Sequence, residues 1–253
     1  MNLRIADADG VRLLTLDRPE VLNAFDTALY LACADALTEA AGRDDVAVVV
    51  ITGEGRAFSA GQDLAEMAAL GNPAAADAGA AHGFPAFVDA VMAFPKPLLA
   101  AVNGIGIGIG LTLLPHCDLV LIADTARLRG PFVPLGVVPE AAASVTLPAV
   151  MGNQRAAHLL FTGAWIDADE AVASGLAWRR CPPDQLLDET MGLAREIAAF
   201  PLESLVATKR LLGAGRVDAL RAARSREDAE FARLTGAAAN REALASFLGK
   251  GNA

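Results

Sequence analysis

Four glycines at alternate positions, Gly104, Gly106, Gly108 and Gly110, constrain this chain more than any other feature. They sit inside the segment K-P-L-L-A-A-V-N-G-I-G-I-G-I-G-L-T-L-L-P-H-C-D, residues 96–118. Glycine at that density costs backbone entropy, and so marks backbone that turns tightly or approaches another group closely. Leu98–Val102 is a short apolar run with the character of a buried strand, and Leu111–Leu114 is apolar again and suits a helix start. The glycines then lie at a strand-to-helix junction, where free backbone N–H groups can hold a negative oxygen. Three other readings compete. Residues 97–117 carry no charge, which is long enough to cross a bilayer, but the glycines, Asn103 and Pro115 make a poor membrane helix. A dinucleotide fingerprint, G-x-G-x-x-G, fails by register, because Ile109 and Leu111 stand where its third glycine belongs. Tight packing without function stays open, since one glycine-rich loop is a weak signal.

The length of 253 residues fits one large domain, or one domain with a helical appendage. A net charge of −9 argues against nucleic acid or an anionic membrane as partner, although a local basic patch and backbone N–H groups can still bind an anionic molecule. Cys33, Cys117 and Cys181 are odd in number, far apart and form no C-x-x-C, which favours a reducing compartment. The first residues include Arg4, Asp7 and Asp9 without an apolar run, and the last three, Gly-Asn-Ala, form no peroxisomal address. The expected location is cytoplasmic.

In chain order, residues 11–16 read as a strand and Asp26 or Thr27 as the cap of a helix to about Ala41. Residues 46–52 are a β-branched run suited to a strand buried on both faces. Residues 66–83, rich in Ala, Gly and Asp, read as a loop or frayed helix, and 84–94 as a helix stopped by Pro95 and Pro97. A further strand is expected over 119–123. Pro139 suits a first helical turn, which would place Glu140 at the start of a short helix through Leu147. Helices are expected at 152–161 and 167–174, the latter closed by Gly175, with a strand at 176–179. From Asp184 the pattern is helical to Phe247, with breaks at Pro201 and residues 213–215. Strand–helix alternation before a helical tail implies an α/β core at 1–200 and a C-terminal helical region at 201–253.

Four segments in this order resemble the enoyl-CoA hydratase/isomerase (crotonase) superfamily: L-D-R-P-E-V-L-N-A-F (16–25), F-S-A-G-Q-D-L (58–64), K-P-L-L-A-A-V-N-G (96–104) and F-T-G-A-W-I-D-A-D-E-A-V-A-S-G-L (161–176). The resemblance implies an α/β fold of the crotonase type, a spiral of ββα units whose C-terminal helices build trimers, often paired into hexamers. It implies an acyl-CoA substrate, in the setting of fatty acid metabolism, with coenzyme A entering as part of that substrate and no separate cofactor. Removing a proton beside a thioester carbonyl leaves negative charge on its oxygen, so two fixed N–H donors there lower the barrier. By resemblance those donors are the backbone N–H groups of Gln62 and Ile109. Leu22, Ala60, Gly61, Asp63 and Leu64 match positions that touch the adenine and pantetheine of coenzyme A.

Residue identity then narrows the reaction. Members of the family that add water hold it with two glutamates, and the matching positions here are Thr112 and Phe132, neither of which is a base. The segment L-G-V-V-P-E-A-A-A-S-V-T-L-P is similar instead to the P-E-G-x-x-S-x-x-x-P stretch of the Δ3,Δ2-enoyl-CoA isomerases, with Ala141 where glycine is usual. An isomerase needs one acid/base, which makes Glu140 the candidate. Burial would raise its pKa and a helix N-terminus would lower it. An N-terminal helix carboxylate without catalytic work is the plain alternative for Glu140. Phe84, Phe87, Phe132 and Trp165 are candidates for the acyl pocket, with core packing as the alternative. Lys209, Arg210 and Lys250 are candidates for the phosphates. His82, His116 and His158 lack metal-ligand spacing, and Ser59 and Ser144 lack a His–Asp partner. Three readings follow: a 3-enoyl-CoA to trans-2-enoyl-CoA isomerase, another crotonase reaction such as hydration, and a silent acyl-CoA-binding protein.

Overall fold

The computed structural model describes residues 2–63, 66 and 83–250. Its main sheet has six strands in the order β1-β2-β3-β5-β7-β10: β1 (Leu3–Ala8), β2 (Val11–Leu16), β3 (Val48–Gly53), β5 (Leu98–Val102), β7 (Leu119–Ala123) and β10 (Arg179–Cys181). β1 and β2 form an antiparallel hairpin, and every later pairing in this sheet is parallel. The hairpin turns at Asp9-Gly10, both at positive φ, the backbone that a tight two-residue hairpin turn needs. β3 is buried at all six positions, as a parallel strand covered on both faces requires.

A second sheet, unsignalled by sequence periodicity, has four three-residue strands in the order β4-β6-β8-β9: β4 (Ala57–Ser59), β6 (Ile105–Ile107), β8 (Arg127–Arg129) and β9 (Trp165–Asp167). Successive pairs β3/β4, β5/β6 and β7/β8 each send one strand to either sheet, which is the expected spiral of ββα units. The stretch 97–117 is therefore a strand, a short strand, a one-turn helix and a 3-10 turn. Among the described residues no helix is long and apolar enough to cross a membrane.

Helix α1 (Thr27–Gly42) is capped by Asp26, whose carboxylate accepts from the N–H of Leu29 at 2.7 Å. At its other end Lys96, almost fully buried, donates to the carbonyls of Ala40, Arg43 and Val46 at 2.5–2.8 Å. Helix α2 (Gly83–Ala93) packs on α1. The expected loop over 66–83 lies, apart from Glu66 and Gly83, outside the described residues. The remaining helices are α3 (Ile109–Thr112), α4 (Ala143–Met151), α5 (Asn153–Thr162), α6 (Ala168–Ser174), α7 (Leu186–Ala198), α8 (Leu202–Ala214), α9 (Val217–Leu234) and α10 (Ala238–Lys250). Two expectations need correction. The strand placed at 176–179 forms instead at Arg179–Cys181, where it pairs with β7. The helix expected from Pro139 begins only at Ala143.

Candidate active site

Three loops at one end of the sheets meet. The first runs from Arg18 to Phe25, with Leu22 and Asn23 both in the left-handed region. Asn23 is fully buried and holds this loop: its Nδ2 donates to the carbonyls of Glu54 and Ala57 at 2.9 and 2.8 Å, and its Oδ1 accepts from the N–H of Arg18. The second loop, residues 60–63, zips onto the first. The N–H of Ala60 donates to the carbonyl of Leu22, that of Phe25 to Gly61, and that of Asp63 to Phe25, at 2.7–2.8 Å. This pairing engages both neighbours of Gln62 and turns the Gln62 N–H to the opposite side.

The third loop is the glycine junction. Gly108 has φ +55° and ψ −118°, backbone that only glycine adopts without strain, and Ile109 follows as the first residue of α3. The N–H of Ile109 therefore has no partner inside the helix. Gly61 and Gly108 pack backbone to backbone: a Cβ on Gly61 would lie 2.8 Å from the Ile107 carbonyl oxygen, and one on Gly108 would lie 3.7 Å from the Gly61 Cα. Gly110 presses on Ser59 in the same way, with 2.7 Å from a would-be Cβ to the Ser59 oxygen. The residues following Gly61 and Gly108 thus present two backbone N–H groups from adjoining loops, and no hydrogen bond among the described residues uses either.

Glu140 does not lie in a helical first turn. It precedes two left-handed alanines, Ala141 and Ala142, at φ +57° and +58°. The turn closes with the N–H of Ala143 donating to the Glu140 carbonyl at 3.0 Å. The N-terminus of α4 is capped from elsewhere: the Glu227 carboxylate, on α9, accepts from the N–H of Ala142 at 2.7 Å and of Ser144 at 2.8 Å. The opposing effects expected on Glu140 are thereby resolved. The helix N-terminus stabilises Glu227, while burial, with the nearby Glu227 and Asp228 charges adding, pushes the Glu140 carboxyl up to about 8.

An aromatic cluster lies near enough for the Glu140 charge to act on its Tyr30. Tyr30 stacks on Phe25 with ring centroids 4.7 Å apart, meets Phe84 edge-on at 5.6 Å, and lies 5.8 Å from Phe87. Its hydroxyl is buried and has no hydrogen-bond partner among the described residues. Burial raises the Tyr30 pKa well above its ordinary value, and the Glu140 and Glu66 charges act in the same direction. Glu66 accepts from the N–H of Thr27 at 2.9 Å, which places a carboxylate at the start of α1.

The other expected positions divide. Leu22, Ala60, Gly61 and Asp63 are brought together by the zipped loops, while Leu64, His82 and the side chain of Lys250 lie outside the described residues. Arg18 donates to Asp63 at 3.3 Å, pairs with Asp26 at 3.2 Å and donates to the Ala24 carbonyl, which ties the two loops electrostatically. Thr112 is fully buried and Phe132 nearly so, its ring packing at Gly130 beside Leu111. Lys209 faces away from a phosphate role: it pairs with Asp118 at 2.7 Å and donates to the Lys96 carbonyl. Trp165 lies under the guanidinium groups of Arg127 and Arg129, on the small sheet rather than with the aromatic cluster. Ser59 bonds the Asn23 carbonyl, and Ser144 meets Glu227 through its backbone. Among the described residues no group of His, Cys, Asp and Glu is placed to hold a metal ion.

Sequence reasoning missed Glu227, and a signal existed. Leu220, Ala223, Arg224 and Glu227 form one buried stripe of α9, so an acidic residue stands at a core position.

Residues 6–253 match the Enoyl-CoA hydratase/isomerase family. The chain is 32% identical to the 1,2-epoxyphenylacetyl-CoA isomerase of Escherichia coli, over 95% of this chain and 93% of that protein. It is 34% identical to the 2,3-dehydroadipyl-CoA hydratase of the same organism, over 98% and 96%. The structure of an enoyl-CoA hydratase/isomerase from Pseudoalteromonas atlantica superposes with a TM-score of 0.93 at 34% identity, covering 99% of this chain and 98% of that one. The chain belongs to the enoyl-CoA hydratase/isomerase family.

Proposed function

We propose that this protein is an enoyl-CoA isomerase that moves the double bond of a 3-enoyl-CoA to the trans-2 position. Its relatives bear both isomerase and hydratase names, so the residues must discriminate. The observation that carries the reading is one raised carboxyl, half-buried Glu140, in a site where Thr112 and Phe132 occupy the places of the two water-holding glutamates.

The thioester carbonyl oxygen would sit between the N–H groups of Gln62 and Ile109, which stabilise the charge of the dienolate. Ionised Glu140 takes a proton from C2, and the same carboxyl returns it at C4. A carboxyl titrating at about 8 is a stronger base than an ordinary one, although only about a tenth of it is ionised at pH 7. Buried Phe132 keeps the site poor in water, which protects the dienolate and disfavours addition to the 2-enoyl product.

The test is a two-substrate assay of the parent protein and Glu140→Ala, offering a 3-enoyl-CoA and, separately, a 2-enoyl-CoA. The reading requires conversion of the first, negligible hydration of the second, and loss of turnover in the variant. Efficient hydration by the parent overturns it. So does binding of both thioesters without change to either, which would indicate an acyl-CoA-binding scaffold.

A further inference from the structure

We propose that Glu227, on the C-terminal helix α9, is a positioning residue that holds the Glu140 loop by two backbone hydrogen bonds and keeps a negative charge beside the acid/base. The inference rests on Glu140 serving as acid/base, but not on which reaction it serves.

The loop cannot hold itself. Ala141 and Ala142 are both left-handed, a conformation in which an L-residue's Cβ crowds the following carbonyl oxygen. Two outside contacts fix it. His116 Nε2 meets the Ala141 carbonyl at 2.7 Å, and Glu227 receives the N–H groups of Ala142 and Ser144 at 2.7 and 2.8 Å. Glu227 comes from 85 residues further along the chain than Ala142 and is 5% exposed. Around it Ala142 packs with Leu220 and Ala223 in a small core of its own, joined by Met92 and Val145. The catalytic loop is thus seated on α9 through Ala142, while Ala141 and Ala143 pack into the main core.

Burial raises the Glu227 carboxyl above its ordinary range, but each of its oxygens accepts one N–H at the start of α4, which favours the carboxylate over the acid. Glu227 bonds the backbone two residues after Glu140, and of two such neighbouring carboxyls the one that receives two N–H donors ionises first while the other keeps the proton. Glu227 therefore holds the proton on Glu140. The remaining groups facing the pair do not replace it. His116 is held neutral by burial, Tyr30 is an un-ionised phenol, and Asp228 is paired with Arg224, which also bonds Asp89.

The experiment compares Glu227→Gln and Glu227→Asp with the parent. Glu140 is titrated directly by carbon NMR of protein labelled at the glutamate carboxyl, with Glu140→Gln identifying its signal. In parallel, deuterium uptake at C2 of butyryl-CoA is followed against pH, which needs an acid/base but no double bond. In Glu227→Gln the Glu140 midpoint should fall by about one pH unit, with about eightfold more Glu140 ionised at pH 6.5 and exchange rising by somewhat less, since the base is weaker. Glu227→Asp, which keeps the charge, should retain the parental midpoint. An unmoved midpoint in Glu227→Gln, or an equal shift in both variants, overturns the proposal. Should Glu227→Gln not fold, the parent is read instead: the Glu227 signal, identified by Glu227→Asp, must titrate below that of Glu140, and a Glu227 midpoint at or above it is equally fatal. If the midpoints move but no 3-enoyl-CoA is isomerised, the reaction assigned above fails and the role of Glu227 stands.

Discussion

His116 Nε2 lies 2.7 Å from the carbonyl oxygen of Ala141, joining the turn that follows the glycine junction to the turn that carries Glu140. Since a carbonyl only accepts, the ring nitrogen donates, and burial holds the ring below the ordinary histidine range and hence neutral. Ile109 begins the short helix that runs into His116, so one continuous segment links the Ile109 N–H to the turn that carries the proposed acid/base. In His116→Leu the buried Ala141 carbonyl loses its donor. Unfolding in urea should show a loss of about 1–3 kcal/mol, and kcat should fall more than KM changes.

Glu140 and His116 give stability opposite dependences on pH. Glu140 keeps its proton up to about 8 when folded and would release it near 4.5 when unfolded. Its contribution is complete below about pH 4.5 and is lost as pH rises to about 8. His116 is proton-free when folded and takes a proton below about 6.5 when unfolded, so its contribution is complete above that pH and falls away in acid. Glu140→Gln removes the first dependence alone. Denaturant unfolding should find this variant more stable than the parent at pH 9, by about 1.4 kcal/mol per pH unit of lost shift, and nearly equal to it at pH 4.5.

Ala141 stands in a conformation that glycine adopts freely, with φ +57°. Ala141→Gly removes that strain but loosens the unfolded chain, so the net gain should be about 0.5–1 kcal/mol. A calorimetric Tm that rises with unchanged turnover supports this account. A lower Tm would mean that the methyl group, 1% exposed, contributes more by packing than it costs in backbone strain.

The parts of the site that the sequence displays are those encoded in backbone. Gln62 and Ile109 each follow a glycine that must turn or approach closely, and glycine is conspicuous in sequence. Glu140 is identifiable as a residue but not in its placement. Pro139 signals a helix start, and nothing local tells two alanines to turn left-handed; only His116 and Glu227, supplied by the folded chain, make them do so. The small sheet is hidden for a related reason. Its strands are three residues long, too short for an alternating pattern, and exist because each spiral turn lays one beside the last.

Tyr30 offers a contrasting stability test. Its hydroxyl is buried without a partner among the described residues, in a cluster with Phe25, Phe84 and Phe87. An unpartnered buried hydroxyl costs roughly 1–3 kcal/mol. Tyr30→Phe keeps the ring stacking and removes that cost, so its Tm should equal or exceed the parent's. A clear fall in Tm would reveal a partner that forms in solution.

Gly108→Ala tests the Ile109 donor without touching any side chain of the site. Space is not the obstacle, because the nearest atom to the added methyl is the Gly61 Cα at 3.7 Å. The obstacle is backbone: φ +55° with ψ −118° is closed to alanine without strain, so the peptide leading into Ile109 must rotate. The protein should still fold, and calorimetric binding of a saturated acyl-CoA should weaken only slightly. Turnover of the substrate that the parent converts should fall by about 10²–10³-fold, the usual cost of one lost oxyanion donor. Equal losses in binding and turnover would show that the Ile109 N–H holds the ground state as tightly as the dienolate. Unaltered turnover would remove Ile109 from the site.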